Sequence, residues 1–313
     1  MQLIPDTIDL SEYRRESPLQ AKVKPASDFL SLVKAEFAPR PADKRHPSLF
    51  FGKAHGLLEA RPGEITAVVG RNGEGKSMFL GQCALNLGVQ GQRTLIVSLE
   101  MYPAVTLARM TRQACAKATP SIREIEQFHA WTDERLYLFD HVGRIDVESA
   151  LALMRYFRQE LHGNQVILDS LLMVDGIGEE ALDRQKNFIT ALCRVAQETG
   201  LHIFLVAHCR KPSGTAEAGP PSKYDIRGSA AISDQCSNVV IVWANRDKQI
   251  RLEKNPLDLK TKDEPDHVVS VEKQRNAAYE GRLAYWFDDA SLRFCDDRIT
   301  RVEPYSLMAG EQR

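Results

Sequence analysis

The sequence predicts an α/β protein: a mainly parallel, twisted sheet with helices on both faces and a C-terminal β-hairpin. Three observations lead there. Short apolar runs alternate along the chain with segments of helical period, the pattern of a parallel sheet whose strands return through crossover helices. One of these runs, ITAVVG at 65–70, opens directly into a glycine-rich stretch and then a helical segment. The last apolar pair, within LAYWFDDASLRFC at 283–295, is split by polar residues at 288–290 and reads as a hairpin.

The elements follow in order. Residues 1–25 are polar and contain several charges and prolines, so they read as an arm. SDFLSLVKAEF at 27–37 places Phe29, Leu30, Leu32 and Val33 at helical spacing, and the Pro-rich basic stretch 38–48 is a linker. These divide the chain into an arm with a linker helix (1–48), a core (49–297) and a tail (298–313). Within the core, TLIVSLE (94–100) is a strand and 103–118 a helix. Ser121 and Glu124 form a capping-box pattern for another helix. A strand at 136–140 precedes a helix at 147–161, with Gly163 just beyond it. QVILD (165–169), HIFLVAH (202–208), NVVIVWA (238–244) and HVVSVEK (267–273) are further strands, and a helix at 180–199 closes on Gly200. The charged stretch 252–266 reads as a hairpin or loop with no assigned role.

Composition narrows the function classes. Of 313 residues, 43% are hydrophobic and 27% charged, which suits a globular protein. No run approaches the roughly 20 apolar residues that span a bilayer, and the N-terminus lacks an apolar signal core, so the expectation is a cytoplasmic protein without membrane contact. The six cysteines, Cys83, Cys115, Cys193, Cys209, Cys236 and Cys295, form no CxxC pair, which argues against a zinc ribbon or redox motif. The formal net charge of −1 means that any nucleic-acid contact must come from local basic clusters and not a global field.

GRNGEGKS at 70–77 fits G-x-x-x-x-G-K-[ST] in full, with a strand before it and a helix after it. Gly70, Gly73 and Gly75, with Arg71, Asn72 and Glu74 between them, let backbone amides curl around phosphate oxygens at the positive end of the helix. Lys76 then reaches the outer phosphates and the Ser77 hydroxyl ligates Mg²⁺, so the chemistry expected is ATP with Mg²⁺. Asp169, at the end of an apolar run, suits the acid that such a site needs at a neighbouring strand end to hold its metal. Glu100 and His208 close two other strands at the same carboxyl edge, where ligands of open parallel sheets gather. Glu100 is the candidate base that orients water, and His208 a candidate sensor of the γ-phosphate. The alternatives are an ordinary strand-end glutamate and a satisfied strand-end histidine.

These residues resemble the RecA-like P-loop NTPase core of replicative hexameric DNA helicases, the DnaB, Twinkle and phage primase-helicase type, over about 55–296. PGE (62–64), SLEM (98–101), VILDS (166–170), AHCRKP (207–212), DIRGSAAISDQCSNVVIVWANR (225–246) and EKQRN (272–276) carry the likeness. The resemblance implies that Glu100 is the catalytic base, that Arg275 is a finger reaching the ATP of the next subunit, and that Lys273 is its companion. A basic K-x-R beyond a strand, far from the P-loop in sequence, agrees with action in trans. The expectation is of a helicase part without primase, zinc or collar modules.

Two loops at the carboxyl edge are candidates for DNA contact. One covers 171–185; the other, 209–227, carries Arg210, Lys211, Lys223 and Arg227 and a single aromatic, Tyr224. Phosphate contact should therefore outweigh base stacking, although each cation also reads as a plain solvated charge. The helix at 27–37 suits docking on a neighbouring subunit. The resemblance implies an ATP-driven, ring-forming helicase on single-stranded DNA. It would work as a homo-oligomer, a hexamer by the family pattern, with a primase, polymerase or single-strand-binding protein as candidate partners. A recombinase-like or replication-initiation ATPase that does not unwind, and a nucleotide-switched loader or anchor, stay open as alternatives.

Overall fold

The computed structural model describes residues 2–4, 11–14, 26–37, 46–178, 180–210 and 219–305. Its elements run β1 (Gln2–Ile4), α1 (Leu30–Phe37), β2 (Ile65–Gly70), α2 (Lys76–Val89), β3 (Thr94–Ser98), α3 (Pro103–Cys115) and α4 (Ile122–Thr132). They continue through β4 (Leu136–Phe139), α5 (Val147–Glu160), β5 (Gln165–Asp169), α6 (Leu182–Thr199), β6 (His202–His208) and α7 (Ala231–Gln235). The chain then forms β7 (Asn238–Ala244), α8 (Arg246–Lys254), α9 (Leu259–Asp263), β8 (His267–Gln274), β9 (Gly281–Asp288) and β10 (Arg293–Cys295).

The ten strands of the described residues join one sheet in the order β1-β4-β3-β5-β6-β2-β7-β8-β9-β10. The first seven in that order are parallel, and β8, β9 and β10 add antiparallel at one edge. Every residue of β2 is buried, which its nearly unbroken apolar run foreshadows. Strand alternation sends Ile65, Ala67 and Val69 into one core and Val68 into the other. The first core takes Leu153 and Phe157 of α5 and Phe188 and Leu192 of α6. The second takes Phe79 of α2, Met110 of α3, Phe128 of α4 and Phe294 of β10. Helices therefore cover both faces, and the C-terminal hairpin closes the second.

Local chemistry sets the helix ends. Pro103 opens α3 at a position where its missing N–H costs nothing. Ser121 and Glu124 cap α4 reciprocally, and Asp146 caps α5 through the Ser149 N–H. Helix α6 closes on Gly200 at φ 71°. Helix α3 stops short of the expected 118 because Ala116 turns left-handed, at φ 55°.

The stretch 252–266 corrects the expectation of a hairpin or loop in part: 252–254 end α8 and 259–263 form α9, with turns between and after them. The Asn245 side chain caps α8 through Lys248 N–H, and Asp258 accepts from the Lys260 and Thr261 amides at the start of α9. Arg251 then ties the two helices, bonding Asp247 one turn back and Glu264 beyond α9. Alternating charges here satisfy helix ends and i,i+4 pairs, which periodicity of apolar residues alone does not reveal.

Part of the N-terminal arm lies on the sheet, with β1 paired in parallel to β4. Tyr13 packs edge-on against Tyr156 of α5 and donates to Glu160 at 2.9 Å. Helix α1 forms where the spacing predicts it, with Leu30 and Val33 exposed. No helix among the described residues is long and apolar enough to cross a membrane.

Candidate active site

The sheet brings the carboxyl ends of four neighbouring strands together. The β2–β6 register sets Gly70 opposite His208, and the β3–β5 register sets Ser98 opposite Asp169. Lys76, Ser77, Glu100, Asp169 and His208 consequently line a single cleft of about 390 Å³.

The 70–77 loop is held open by two glycines. Gly73 and Gly75 sit at φ 75° and 86°, a region that other residues enter only under strain. Gly75 also begins α2 without a side-chain cap, leaving first-turn amides for an anion. Glu74, 2% exposed, braces the loop from beneath. It accepts the Arg71 N–H at 2.6 Å and pairs with the Arg71 guanidinium at 3.5 Å. Burial pushes its carboxyl up, against the pull of Arg71, Lys76 and Arg246. Arg71 and Asn72 thus contribute loop backbone, while Glu74 contributes structure.

Lys76 folds over the loop and donates to the Gly70 and Arg71 carbonyls at 3.0 and 2.9 Å, with His208 Nδ1 at 3.5 Å. Burial lowers its ammonium's pKa, opposed by the charges of Asp169, Glu74 and Glu100. Ser77 Oγ donates to Asp169 Oδ2 at 2.6 Å. Burial raises the Asp169 pKa; the Ser77 bond opposes that rise, whereas Glu100 adds to it. Glu100 accepts from Ser170 Oγ at 2.8 Å, so the residue after Asp169 fixes the second acid.

This donor set fits a magnesium–nucleotide complex: a hydroxyl and a carboxylate for a hard cation, an ammonium and backbone amides for phosphate. Among the described residues no group of three or more His, Cys, Asp or Glu is placed to hold a metal by itself.

Two arginines escaped the sequence reading. Arg109, on α3, lines the same cleft, with its guanidinium 3.0 Å from Met101 Sδ. Arg246, at the start of α8, donates to the Gly73 carbonyl at 3.1 Å. A side chain at Gly73 would place Cβ 2.7 Å from that guanidinium. No motif spacing flags Arg109, and Arg246 closed a matched stretch without an assigned role.

Lys273 and Arg275 lie elsewhere. Strand β8 runs antiparallel to β7, pairing Lys273 with Val239 and Gln274 with Asn238. Both residues therefore sit at the amino edge of the parallel strands, across the sheet from the cleft. Lys273 Nζ donates to the carbonyls of Ser233, Asp234 and Cys236 at 2.7, 2.9 and 2.9 Å, capping the end of α7. Arg275 is exposed.

The two candidate DNA loops differ. In 171–185, Leu171, Val174, Ile177 and Gln185 are buried and anchor the segment to the core, while Asp175, Gly176, Gly178 and Glu180 are exposed between those anchors. The second loop is zipped at its base: Cys209 bridges Ile226, Arg210 N–H bonds Asp225, and Arg227 N–H bonds His208. Arg210 and Arg227 are exposed there, next to His208. Lys223 is half-buried, 5.7 Å from the Tyr224 ring. Lys211 falls outside the described residues.

Fold and cleft together define a RecA-like P-loop protein with a nucleotide site at the carboxyl edge of its sheet. The chain belongs to the AAA domain family, whose model matches residues 55–214. It is 28% identical over 221 residues to the DNA helicase/primase of Enterobacteria phage T3, covering 63% of this chain and 39% of that protein. It is 27% identical over 272 residues to the chloroplastic/mitochondrial Twinkle homolog protein of Arabidopsis thaliana, covering 78% of this chain and 34% of that protein. The chain thus spans well under half the length of these relatives. Among solved structures, a DnaB-like replicative helicase matches at TM-score 0.68 and 15% identity, over 87% of this chain and 67% of that one. A second solved structure, of an ATPase domain, matches at TM-score 0.67 and 14% identity, over 87% of this chain and 98% of that one. These structural likenesses establish the fold.

Proposed function

We propose that this chain is the motor part of an ATP-driven, ring-forming helicase that moves along single-stranded DNA. One observation carries the reading: the cleft gathers a phosphate loop, two acids and a histidine, whereas Arg275 stands at the opposite edge of the same sheet. A residue so placed reaches a phosphate only in another copy of the chain, so the site is completed by a neighbour.

Each residue then has a task. The amides of 70–77 and the Lys76 ammonium bind the phosphates, with Lys76 leaving the Gly70 and Arg71 carbonyls to do so. Ser77 and Asp169 would hold Mg²⁺, which neutralises phosphate charge. Glu100, steadied by Ser170, accepts the proton of the attacking water. His208, between Lys76 and the 209–227 loop, links the γ-phosphate to Arg210 and Arg227, which contact DNA phosphates. Arg275 of the neighbour offsets the charge that develops during transfer, a task suited to a planar, permanently charged group. The names of the relatives, a phage helicase/primase and a Twinkle homolog, support the same reading.

ATPase activity measured with and without single-stranded DNA, over a range of protein concentrations, tests it. Strong stimulation by DNA that appears only above an assembly threshold is the expected result. Turnover indifferent to both overturns the ring motor and leaves a self-contained nucleotide switch.

A further inference from the structure

We infer that Glu64 is a positioning residue for Arg275, and that β2 links the nucleotide loop of one subunit to the arginine it offers the next. The inference rests on the in-trans role proposed above. Glu64 lies in the turn just before β2, at the amino edge, and is 7% exposed. Its two carboxylate oxygens are divided between two asparagines. Oε2 accepts from Asn238 Nδ2 at 2.9 Å, and Oε1 accepts from Asn276 Nδ2. Asn276 is the residue after Arg275, and its carbonyl accepts from Arg61, three residues before Glu64.

The residues before Arg275 are held as well. Gln274 donates to the Leu57 and Tyr279 carbonyls at 3.2 and 2.9 Å, and Lys273 caps α7. Arg275 itself is tied to Ser237 through its N–H and leaves an exposed side chain, with one guanidinium bond of 3.3 Å to the Asp234 carbonyl. The segment is thus clamped on both sides of a projecting cation. Asn276 is itself exposed, so a mere surface turn would not need a buried carboxylate beneath it. Beyond Glu64, β2 runs about 20 Å as a fully buried central strand before reaching Gly70. A shift of the 70–77 loop is therefore passed to the base of Arg275 through a strand that packing holds straight.

Charge and hydrogen bonding explain the choice of residue. Asn238 and Asn276 both present N–H donors, and a carboxylate accepts from each through a separate oxygen. Glutamine at this position would turn an amide toward one of them.

The test compares Glu64→Ala with Arg275→Ala and adds a mixing experiment with Lys76→Ala. Glu64→Ala is expected to lose about tenfold to a hundredfold in DNA-stimulated kcat through misplacement alone, while binding of a fluorescent nucleotide is unchanged. Mixed with Lys76→Ala subunits, it should regain turnover, because those subunits carry an intact Arg275 to its intact phosphate loop. A merely misfolded subunit gains nothing from mixing. If Arg275→Ala is rescued by Lys76→Ala and Glu64→Ala is not, or if Glu64→Ala turns over normally, the positioning role is overturned and the in-trans reading stands. If neither pair is rescued, the in-trans reading itself falls. Should Glu64→Ala not fold, Asn276→Ala removes the same clamp from the exposed side and is held to the same outcomes.

Discussion

Acid should weaken this fold through buried histidines, and His202 allows the effect to be worked out. His202 opens β6 beside β2, wholly inside the protein. Its Nδ1 lies 2.8 Å from the Arg61 carbonyl and its Nε2 lies 2.9 Å from Thr66 Oγ1. The carbonyl can only accept, so Nδ1 carries the proton and Nε2 accepts from the threonine in the neutral ring. Burial pushes the pKa from 6.5 down to about 4. A histidine depressed in this way gives stability that is complete above its unfolded pKa and is lost as pH falls toward the folded one. At about pH 5 the unfolded chain binds nearly one proton more at this site, a loss on the order of 2 kcal/mol. His267, also pushed down to about 4 by burial, adds a loss of similar size. Asp169 and Glu74, raised by burial, act in the opposite sense, because as pH falls the folded chain takes up their protons sooner than the unfolded chain does. A difference measurement removes that offset. Urea unfolding of the parent and of His202→Gln, each at about pH 7.5 and about pH 5, isolates the His202 share. The variant's deficit should shrink by about 2 kcal/mol at the lower pH. Equal deficits at both pH values would refute the argument that a neutral, desolvated ring underlies the loss.

The remaining expectations address the site directly. Arg275→Ala should cut DNA-stimulated ATP turnover by about a thousandfold while nucleotide binding persists, and normal turnover would sink its role. Asp169→Asn should raise the Mg²⁺ concentration needed for half-maximal turnover; an unchanged Mg²⁺ titration would remove Asp169 from the metal site. Gly70→Ala places Cβ 2.4 Å from the Val242 carbonyl oxygen, where backbone meets backbone. Calorimetry should show a loss of about 1–3 kcal/mol, and an unchanged unfolding temperature would contradict the close approach. Arg210→Ala and Arg227→Ala should each lower the salt slope of single-stranded DNA binding by about one, and slopes equal to the parent's would take the zipped loop off the DNA path.

Much of this was legible in the amino-acid order because it depends on local physics. Unbroken apolar runs such as ITAVVG identify strands buried on both faces, and Ser121 with Glu124 declares a helix start. GRNGEGKS carries its own chemistry: glycines where the chain turns left-handed, a lysine and a hydroxyl at the start of a helix. Strand ends also placed Glu100, Asp169 and His208 at one edge, since a parallel sheet aligns its carboxyl ends.

Only the tertiary structure decided what depends on contacts between distant segments. Arg109 reaches the cleft from a helix whose sequence holds no motif for it, and Arg246, at the end of a matched stretch, braces the phosphate loop at the Gly73 carbonyl. Part of the charged stretch 252–266 is helical, in α8 and α9, and Arg251 ties the two by bonding Asp247 and Glu264, a pairing that apolar periodicity does not encode. Leu171, Val174 and Ile177 sank into the core from a segment that reads as an open loop. Most consequential are the placement of Arg275 at the edge opposite the cleft and the bond from Asn276, next to it, to the buried Glu64. The sequence sets Glu64 only six residues before Gly70, yet a six-residue strand is a rigid span. It holds the two ends at opposite edges of the sheet, one at the chain's own phosphate loop and the other beside the exposed Arg275.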